Sequence, residues 1–113
     1  MNSSNFTSSL EEWLKKLGLQ YEMSNDNCIV DGEYGKWLIC LDILKRGKQP
    51  TLKSKIMSCL MKIDGTNNKT SLYTEYDIYV VTQWKEIPQY VKEKLNISLI
   101  TYNSKNGHIK EYQ

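Results

Sequence analysis

Asp42 is a candidate for chemistry because it lies inside the apolar run of residues 37–44. A nearly continuous apolar run is typical of a central strand covered on both faces, so its carboxylate is expected to be buried. A buried and unpaired carboxylate is unfavourable, and a metal ion, a lysine or hydrogen bonds must compensate its charge. Asp42 is therefore a candidate metal-binding or catalytic residue, and a structural salt bridge to a nearby lysine is the alternative.

A segregated stretch of positive charge follows Asp42 in the chain. Between residues 45 and 62 there are six basic residues and no acidic one, whereas the rest of the chain carries nine basic and thirteen acidic residues. This stretch, called the basic strip below, consists of Lys45, Arg46, Lys48, Lys53, Lys55 and Lys62. Such segregation favours a face that binds anions such as phosphates, and the alternative is a solvated, lysine-rich helix face.

The geometry of a hairpin can place a second carboxylate near Asp42. If the turn is centred near Glu33, Asp42 lies opposite residues 24 and 25, and Asp26 is close by. Asp31 would lie about seven residues away along the ladder, which is roughly 23 Å and too far to share a metal ion. The sequence therefore predicts Asp26 and Asp42 as the pair of acids, although an aspartate in a polar stretch is by itself most often a turn residue.

Helical spacing of apolar residues predicts three helices that would position these groups. Ser9 and Glu12 have the spacing of a capping box, which places the start of a first helix at Ser9 and its end at Gly18. Residues 52–60 have an apolar stripe, and lysines of the basic strip lie outside it. Pro88 is predicted to lie in the first turn of a third helix.

The remaining periodic segments predict strands over residues 19–23, 28–30, 37–44, 77–82 and 97–102. The first three follow one another and should form a meander, whereas the later two follow helices and should pair in parallel. The predicted fold is therefore of the α/β class, with a small mixed sheet flanked by helices in the order αβββαβαβ. A chain of this length is expected to form one domain over residues 9–103, with a loose segment at 1–8 and a polar tail at 104–113.

The cysteines and the hydropathy pattern bear on where the protein acts. Cys28, Cys40 and Cys59 are widely spaced and lack the pattern of a zinc site. Two of them lie in apolar runs and are interpreted as small buried hydrophobic residues, which suggests a reducing compartment. No run of about 18 apolar residues predicts a membrane span, and the first residues lack the layout of a secretory signal. The sequence thus predicts an intracellular, cytoplasmic protein with no membrane partner.

The element order, with Asp26 before the hairpin's first strand and Asp42 inside its second, resembles the PD-(D/E)xK nuclease superfamily, whose fold is that of restriction endonucleases. In layout the chain looks most like archaeal Holliday-junction resolvases. The resemblance covers about residues 9–102 and rests on this layout and on two short motifs. It implies that the two acids bind Mg²⁺ or Mn²⁺ and that a lysine two residues beyond the second acid helps to position the attacking water.

Residue by residue, the resemblance transfers only in part. Asn25-Asp26 stands at the family's Pro-Asp, Asp42 at its second acid, and Glu12 or Glu11 at a glutamate that the first helix often supplies.

The lysine of the motif is the point of departure. Leu44 stands at its position, and Lys45 comes one residue later. Because alternate residues of a strand face opposite sides, Lys45 could join the acids only through a bulge or where the strand frays. Lys53 or Lys55 on the following helix is the other source of an ammonium group.

Two functions follow from these expectations. The first is a nucleic-acid-binding protein of nuclease-like fold, in its furthest form a magnesium-dependent DNA endonuclease. Its catalytic residues would be Asp26, Asp42, Lys45 and Glu12, its metal ligands the two aspartates, and its phosphate contacts Arg46, Lys48, Lys53, Lys55 and Lys62. The missing lysine favours the second, a catalytically inactive relative from a virus or mobile element that acts as a binding or inhibitor module. DNA is the expected nucleic acid rather than RNA; a homodimer is common for this layout, and a protein partner stays open.

Overall fold

A computed structural model describes residues 3–33, 35–42, 51–63, 65 and 67–113. In chain order, the elements within these residues are α1 (Ser3–Lys16), β1 (Gln20–Met23), β2 (Asn27–Gly32), β3 (Gly35–Leu41), α2 (Leu52–Leu60), β4 (Asn67–Glu75), α3 (Ile78–Glu86), α4 (Gln89–Leu95), β5 (Ile97–Tyr102) and β6 (Ile109–Tyr112).

The strands form one sheet whose order, β1-β2-β3-β4-β5-β6, follows the order of the chain. The meander β1-β2-β3 is antiparallel, the pairs β3-β4 and β4-β5 are parallel, and β6 returns antiparallel to β5. Parallel neighbours need a crossover, which α2 supplies for the first pair and α3 with α4 for the second. The predicted α/β class with a mixed sheet flanked by helices is confirmed.

Side chains alternate along the central strands and divide the core into two layers. On β3, Ile39 and Leu41 pack towards α1, whereas Leu38 and Cys40 face Cys59 of α2. The layer beneath α2 and α3 continues through Leu72, Leu99 and Trp84. Because both faces are covered, β3 is apolar without interruption from Trp37 to Leu41. Of the strand predicted over residues 37–44, Asp42 lies just after β3, and residues 43–44 lie outside the described residues.

The first helix begins earlier than the capping box at Ser9 predicts. It starts at Ser3, so residues 3–8, expected to be loose, include the first helical turns. Phe6 is buried and stacks on Tyr73, with ring centroids 4.2 Å apart. Phe6 lies one helical turn before the apolar stripe that starts at Leu10, and burial of that ring outweighs the preference of Ser9 for a helix start.

The segment 77–82, predicted to be a buried strand, is the first part of α3. Asp77 caps the helix, because its side chain accepts a hydrogen bond of 2.8 Å from the backbone N–H of Tyr79. Val80, Val81 and Trp84 are buried, whereas Ile78 and Tyr79 are exposed. This spacing is helical, and tertiary packing overrides the strand propensity of the β-branched residues.

The fourth strand, β4, was not predicted because its sequence is rich in polar residues. Thr70, Ser71 and Thr74 are buried in a strand that is paired on both sides. Two of these hydroxyl groups have partners within the protein: Ser71 Oγ accepts from Trp37 Nε1 at 2.8 Å and lies 2.5 Å from Ser98 Oγ, and Thr74 donates to Asp42. A buried hydroxyl is tolerated when it is hydrogen-bonded, so this strand lacks the apolar signature expected of its position.

The last residues, expected to form a polar tail, include the edge strand β6. Tyr112 pairs with Leu99 and Glu111 with Ile100. The Glu111 carboxylate accepts a hydrogen bond of 2.8 Å from Ser98 and forms an ion pair of 2.9 Å with Lys69. The acidic side chain is thus matched to polar groups of β4 and β5, which is a pairing that local periodicity cannot reveal. Among the described helices, none has the length and apolarity needed to cross a membrane.

Candidate functional site

The backbone register brings Asp26 and Asp42 to the same end of the sheet. Asn27 pairs with Cys40, and the N–H of Leu41 donates to the carbonyl of Asp26 at 2.9 Å. Asp42 follows Leu41, so the two acids lie at adjacent strand ends. Asp31 pairs with Lys36 near the hairpin turn, at the opposite end of β2. The prediction that Asp26, rather than Asp31, lies near Asp42 is confirmed.

Asp42 is compensated by an ion pair and a hydrogen bond. Its Oδ2 lies 2.8 Å from Nζ of Lys55 and accepts a hydrogen bond of 2.9 Å from the hydroxyl of Thr74. The side chains of Lys55 and Asp42 are 8% and 18% exposed. Lys55 belongs to α2 and Thr74 to β4, so three elements meet at one carboxylate oxygen. The sequence allowed a metal ion, a lysine or hydrogen bonds to compensate the charge of Asp42. In the described structure, a lysine and a hydrogen bond do so.

Asp26 forms a second, more open pair with the lysine that follows α2. Its Oδ2 lies 3.0 Å from Nζ of Lys62, and these side chains are 63% and 31% exposed. The same ammonium lies 3.4 Å from the carbonyl oxygen of Asp26, and the side-chain amide of Asn27 donates to Asp26 Oδ1 at 3.3 Å. We call the set of Asp26, Asp42, Lys55 and Lys62 the acid–lysine site.

A small crevice of about 100 Å³ lies between β3 and α2 at this site. Its walls include Asp42, Lys55, Ser58 and Lys62. The last three are spaced three and four residues apart, which puts them on one face of the helix and its continuation. The sequence folds α2 in this way because Leu52, Ile56 and Cys59 are buried against the sheet on the neighbouring face.

At the acid–lysine site, a magnesium ion would compete with two ammonium groups, because one oxygen of each carboxylate is engaged by a lysine. Magnesium is usually held by carboxylate oxygens and water. Oδ2 of Asp42 also accepts the hydroxyl hydrogen bond of Thr74. Within the described ranges, no three His, Cys, Asp or Glu side chains are grouped as metal ligands.

Glu12, the glutamate that the resemblance implies on the first helix, is not brought to the acids. It is exposed on α1, beside His108 and Ile109. This helix packs on the opposite face of the sheet from α2, and β6 lies three strands from β3, roughly 14 Å across the sheet. The assignment of Glu12 to the site is therefore corrected, because helical spacing alone does not specify which face of the sheet a helix covers.

The basic strip is divided between engaged and exposed residues. Lys55 and Lys62 are held by the two aspartates, as described above. Lys53 is exposed on α2 and makes no ion pair within the described part of the chain. The other three members, Lys45, Arg46 and Lys48, lie outside the described residues.

Two cysteines join the strand and the helix of the acid–lysine site. Cys40 of β3 and Cys59 of α2 form a disulfide, with Cα atoms 5.7 Å apart. The disulfide removes the argument for a reducing compartment that was drawn from the cysteines, and Cys28 alone is free. Cys28 is buried, and burial first, with the charge of Glu11 second, raises the pKa of its thiol to about 12.

Thr74 is the member of the site that the sequence did not suggest. It was missed because residues 67–75 were not predicted to be a strand. The sequence signal for Thr74 is the alternation expected of a strand, in which Ser71, Tyr73 and Glu75 face one side and the residues between them face the other. This alternation is recognised only once the segment is assigned as a strand. With that reading, Thr74 lies on the face of Leu72, towards α2.

Neither family models nor curated proteins match this chain. Among solved structures, it is similar to a FdxN element excision controlling factor protein from Anabaena variabilis. The two chains are 12% identical, and the match covers 96% of this chain and 98% of the other with a TM-score of 0.50. At this identity the likeness shows a shared fold and nothing further.

Proposed function

We propose that this protein binds nucleic acid, through the basic strip at the acid–lysine site, without cutting it. The proposal that the protein does not cut nucleic acid rests on one observation, the pairing of both candidate metal ligands with lysines. Asp42 lies 2.8 Å from Lys55, and Asp26 lies 3.0 Å from Lys62. The carboxylates then serve to anchor α2 to the end of the sheet rather than to hold a divalent ion.

The charge balance at this end supports phosphate binding. The two aspartates neutralise two of the six cations of the basic strip, which leaves an excess of four positive charges. Lys45 and Arg46 follow Asp42 by three and four residues, and covalent geometry keeps their backbone within roughly 14 Å of it. An excess of this kind attracts the phosphate backbone and supplies affinity that depends on salt.

The name of the structural neighbour, an element excision controlling factor, is compatible with such a role, because binding alone can control a reaction that another protein performs. An intracellular, cytoplasmic setting, an origin in a virus or mobile element, and a preference for DNA over RNA belong to the same proposal. A homodimer or an inhibitory contact with a protein is compatible with it.

Binding is tested by titrating duplex DNA, single-stranded DNA, a four-way junction and duplex RNA at several salt concentrations. We expect the affinity for DNA to fall steeply with salt. Replacement of Lys45, Arg46 and Lys48 by glutamine should reduce the slope of log affinity against log salt by about 0.9 for each lost duplex phosphate contact. A matched control replaces Lys15, Lys16 and Lys105, three exposed lysines outside the basic strip, with the same change of net charge. Equal losses in both variants, or no binding at all, would contradict the proposal.

A second candidate is the magnesium-dependent endonuclease that the resemblance implies. It is favoured by the position of Lys55, whose ammonium lies beside the second acid although the motif position holds leucine. Incubation of the same substrates with Mg²⁺ or Mn²⁺ distinguishes the two candidates. Cleavage that is lost in Asp42→Asn and Asp26→Asn would establish the enzyme and overturn binding without cutting, whereas intact substrates under saturating protein support the proposal.

A further inference from the structure

A groove runs between α2, α3 and α4, on a different face of α2 from the acid–lysine site. Its volume is about 620 Å³, within the range of small-molecule sites, and its walls are mostly apolar. Ile56, Met57 and Leu60 line it from α2, and Val91 and Leu95 line it from α4. Met57 and Leu95 are 54% and 40% exposed, so a substantial apolar surface in the groove stays in contact with water.

Lys92 places a buried ammonium group in this apolar groove. The residue is only 7% exposed, and Nζ makes one long hydrogen bond of 3.4 Å, to the carbonyl oxygen of Trp84. The ammonium also lies 4.9 Å from the centre of the Trp84 ring. Among the described residues, no carboxylate pairs with it; Glu86, which also lines the groove, forms no ion pair. An ammonium has three donors, so Lys92 retains capacity for an anion.

This lysine is anomalous in its sequence position as well. Pro88, Val91, Lys92 and Leu95 are spaced as one face of a helix, and the other three residues are apolar. Lys92 is the only buried residue of α4, and a buried cation is unfavourable unless something compensates its charge. The carbonyl oxygen and the aromatic ring of Trp84 do so only in part, because neither carries a negative charge.

We propose that the groove binds a small amphiphilic carboxylate, with its apolar chain along α2 and α4 and its carboxylate on Lys92. A carboxylate matches both features: it pairs with the ammonium through a charge-assisted hydrogen bond, and its chain removes exposed apolar surface from water. Because Lys92 is almost fully enclosed, the head group must be slender, which favours a simple fatty acid over a broad protein surface. The proposal does not depend on nucleic-acid binding.

Calorimetric titration with three ten-carbon probes below their micelle concentrations tests the head group and the chain separately. Decanoate should bind the full chain, and decyltrimethylammonium should bind roughly tenfold more weakly or worse, because a charge-assisted hydrogen bond is lost. Decanol, which keeps the chain and loses the charge, should lie between them.

Variants at α4 identify the group responsible. Lys92→Met should weaken decanoate binding by roughly tenfold and leave decanol unchanged, whereas Lys92→Arg should preserve the preference for decanoate. Lys94→Met is the matched control, because it removes the same charge from an exposed position of the same helix and should have no effect. Leu95→Trp, which fills the groove, should abolish binding of both probes.

Several results would overturn the proposal. These are equal affinity for all three head groups, an unchanged decanoate affinity in folded Lys92→Met, or no binding of decanoate to the full chain. If decanoate does not bind but a helical peptide with one acidic residue does, and Lys92→Met abolishes that binding, the groove is a protein-docking site and the small-molecule assignment is wrong. Far-ultraviolet circular dichroism of each variant establishes that it is folded.

Discussion

The ion pairs at Asp42 and at Asp31 are made of the same two residue types but differ in burial. Asp42 and Lys55 are 18% and 8% exposed, whereas Asp31 and Lys36 are 54% and 50% exposed. An exposed pair is screened by water and contributes little. In a buried pair, loss of one partner leaves an uncompensated charge, so the interdependence of the two residues is strong.

Removal of Lys55 should therefore destabilise the fold much more than removal of Lys36. We expect Lys55→Met to lower the free energy of unfolding by about 3–5 kcal/mol, since it leaves the Asp42 carboxylate unpaired. The control, Lys36→Met, should change it by less than about 1 kcal/mol. Urea unfolding followed by circular dichroism measures both.

A compensating variant isolates the charge from the packing. Asp42→Leu combined with Lys55→Met removes both charges and should recover most of the lost stability, because apolar residues can replace a buried pair. If Lys55→Met and Lys36→Met have equal effects, the Asp42–Lys55 pair does not carry the structural role described above.

At the scale of elements, the proximity of the two acids was predictable because antiparallel register follows from the position of the turn. With Gly32 paired to Gly35, every other pairing of the hairpin is determined, including that of Asn27 with Cys40. The choice between Lys53 and Lys55 was not predictable, because it depends on the rotation of α2 about its axis. Lys55 faces the acids since Leu52, Ile56 and Cys59 turn towards the sheet.

The strands were predictable where burial and composition agree. The span 97–102, predicted to be a strand, coincides with β5, all six of whose residues are buried. The segment 77–82 and β4 were misassigned for opposite reasons. The first is rich in strand-forming residues but is capped by Asp77 as a helix, and the second is rich in hydroxyl groups but lies inside the sheet. In both segments, long-range packing determines the secondary structure, and the local sequence does not reveal that packing.

The disulfide between Cys40 and Cys59 links β3 to α2, and it predicts how many thiols the protein has with and without reductant. Denatured protein purified without reductant should contain one titratable thiol, from Cys28, and three after reduction. Because the cysteines are 19 residues apart, the bridge should contribute about 3 kcal/mol by limiting the unfolded chain. Thiol titration and urea unfolding with and without reductant provide the measurements. Cys28→Ala is the control, since it should leave the effect of reductant unchanged; three thiols without reductant would show that the two cysteines are not bridged.

At the scale of the whole molecule, β6 completes a polar ladder that crosses the sheet. Trp37 donates to Ser71, Ser71 contacts Ser98, and Ser98 donates to Glu111 on β6. Lys69 closes the ladder through its ion pair with Glu111 and lies 4.3 Å from the centre of the Trp37 ring. Four strands are thereby connected on the face that α1 covers.

Truncation after Gly107 should therefore be far more damaging than expected for a polar tail. The deletion exposes the backbone edge of β5 and leaves Lys69 without its carboxylate, so we expect reduced stability and a tendency to aggregate. Size-exclusion chromatography and urea unfolding measure the two effects. Glu111→Gln, which keeps the strand and removes the charge, is the matched control and should lose only part of the stability. An unchanged truncated protein would contradict the role of β6.

The agreement between strand order and chain order has a consequence for how the protein folds. Among the described strands, each pairs only with its neighbours in chain order, and the longest connection between paired strands runs from Leu41 to Asn67. The antiparallel pairs close short loops at a small cost in entropy, whereas the two parallel pairs join residues 27 to 32 positions apart and should form more slowly. The sheet can therefore grow one strand at a time from its amino-terminal hairpin, and a chain emerging from the ribosome need not wait for its last residues before most of its hydrogen-bond ladders are formed.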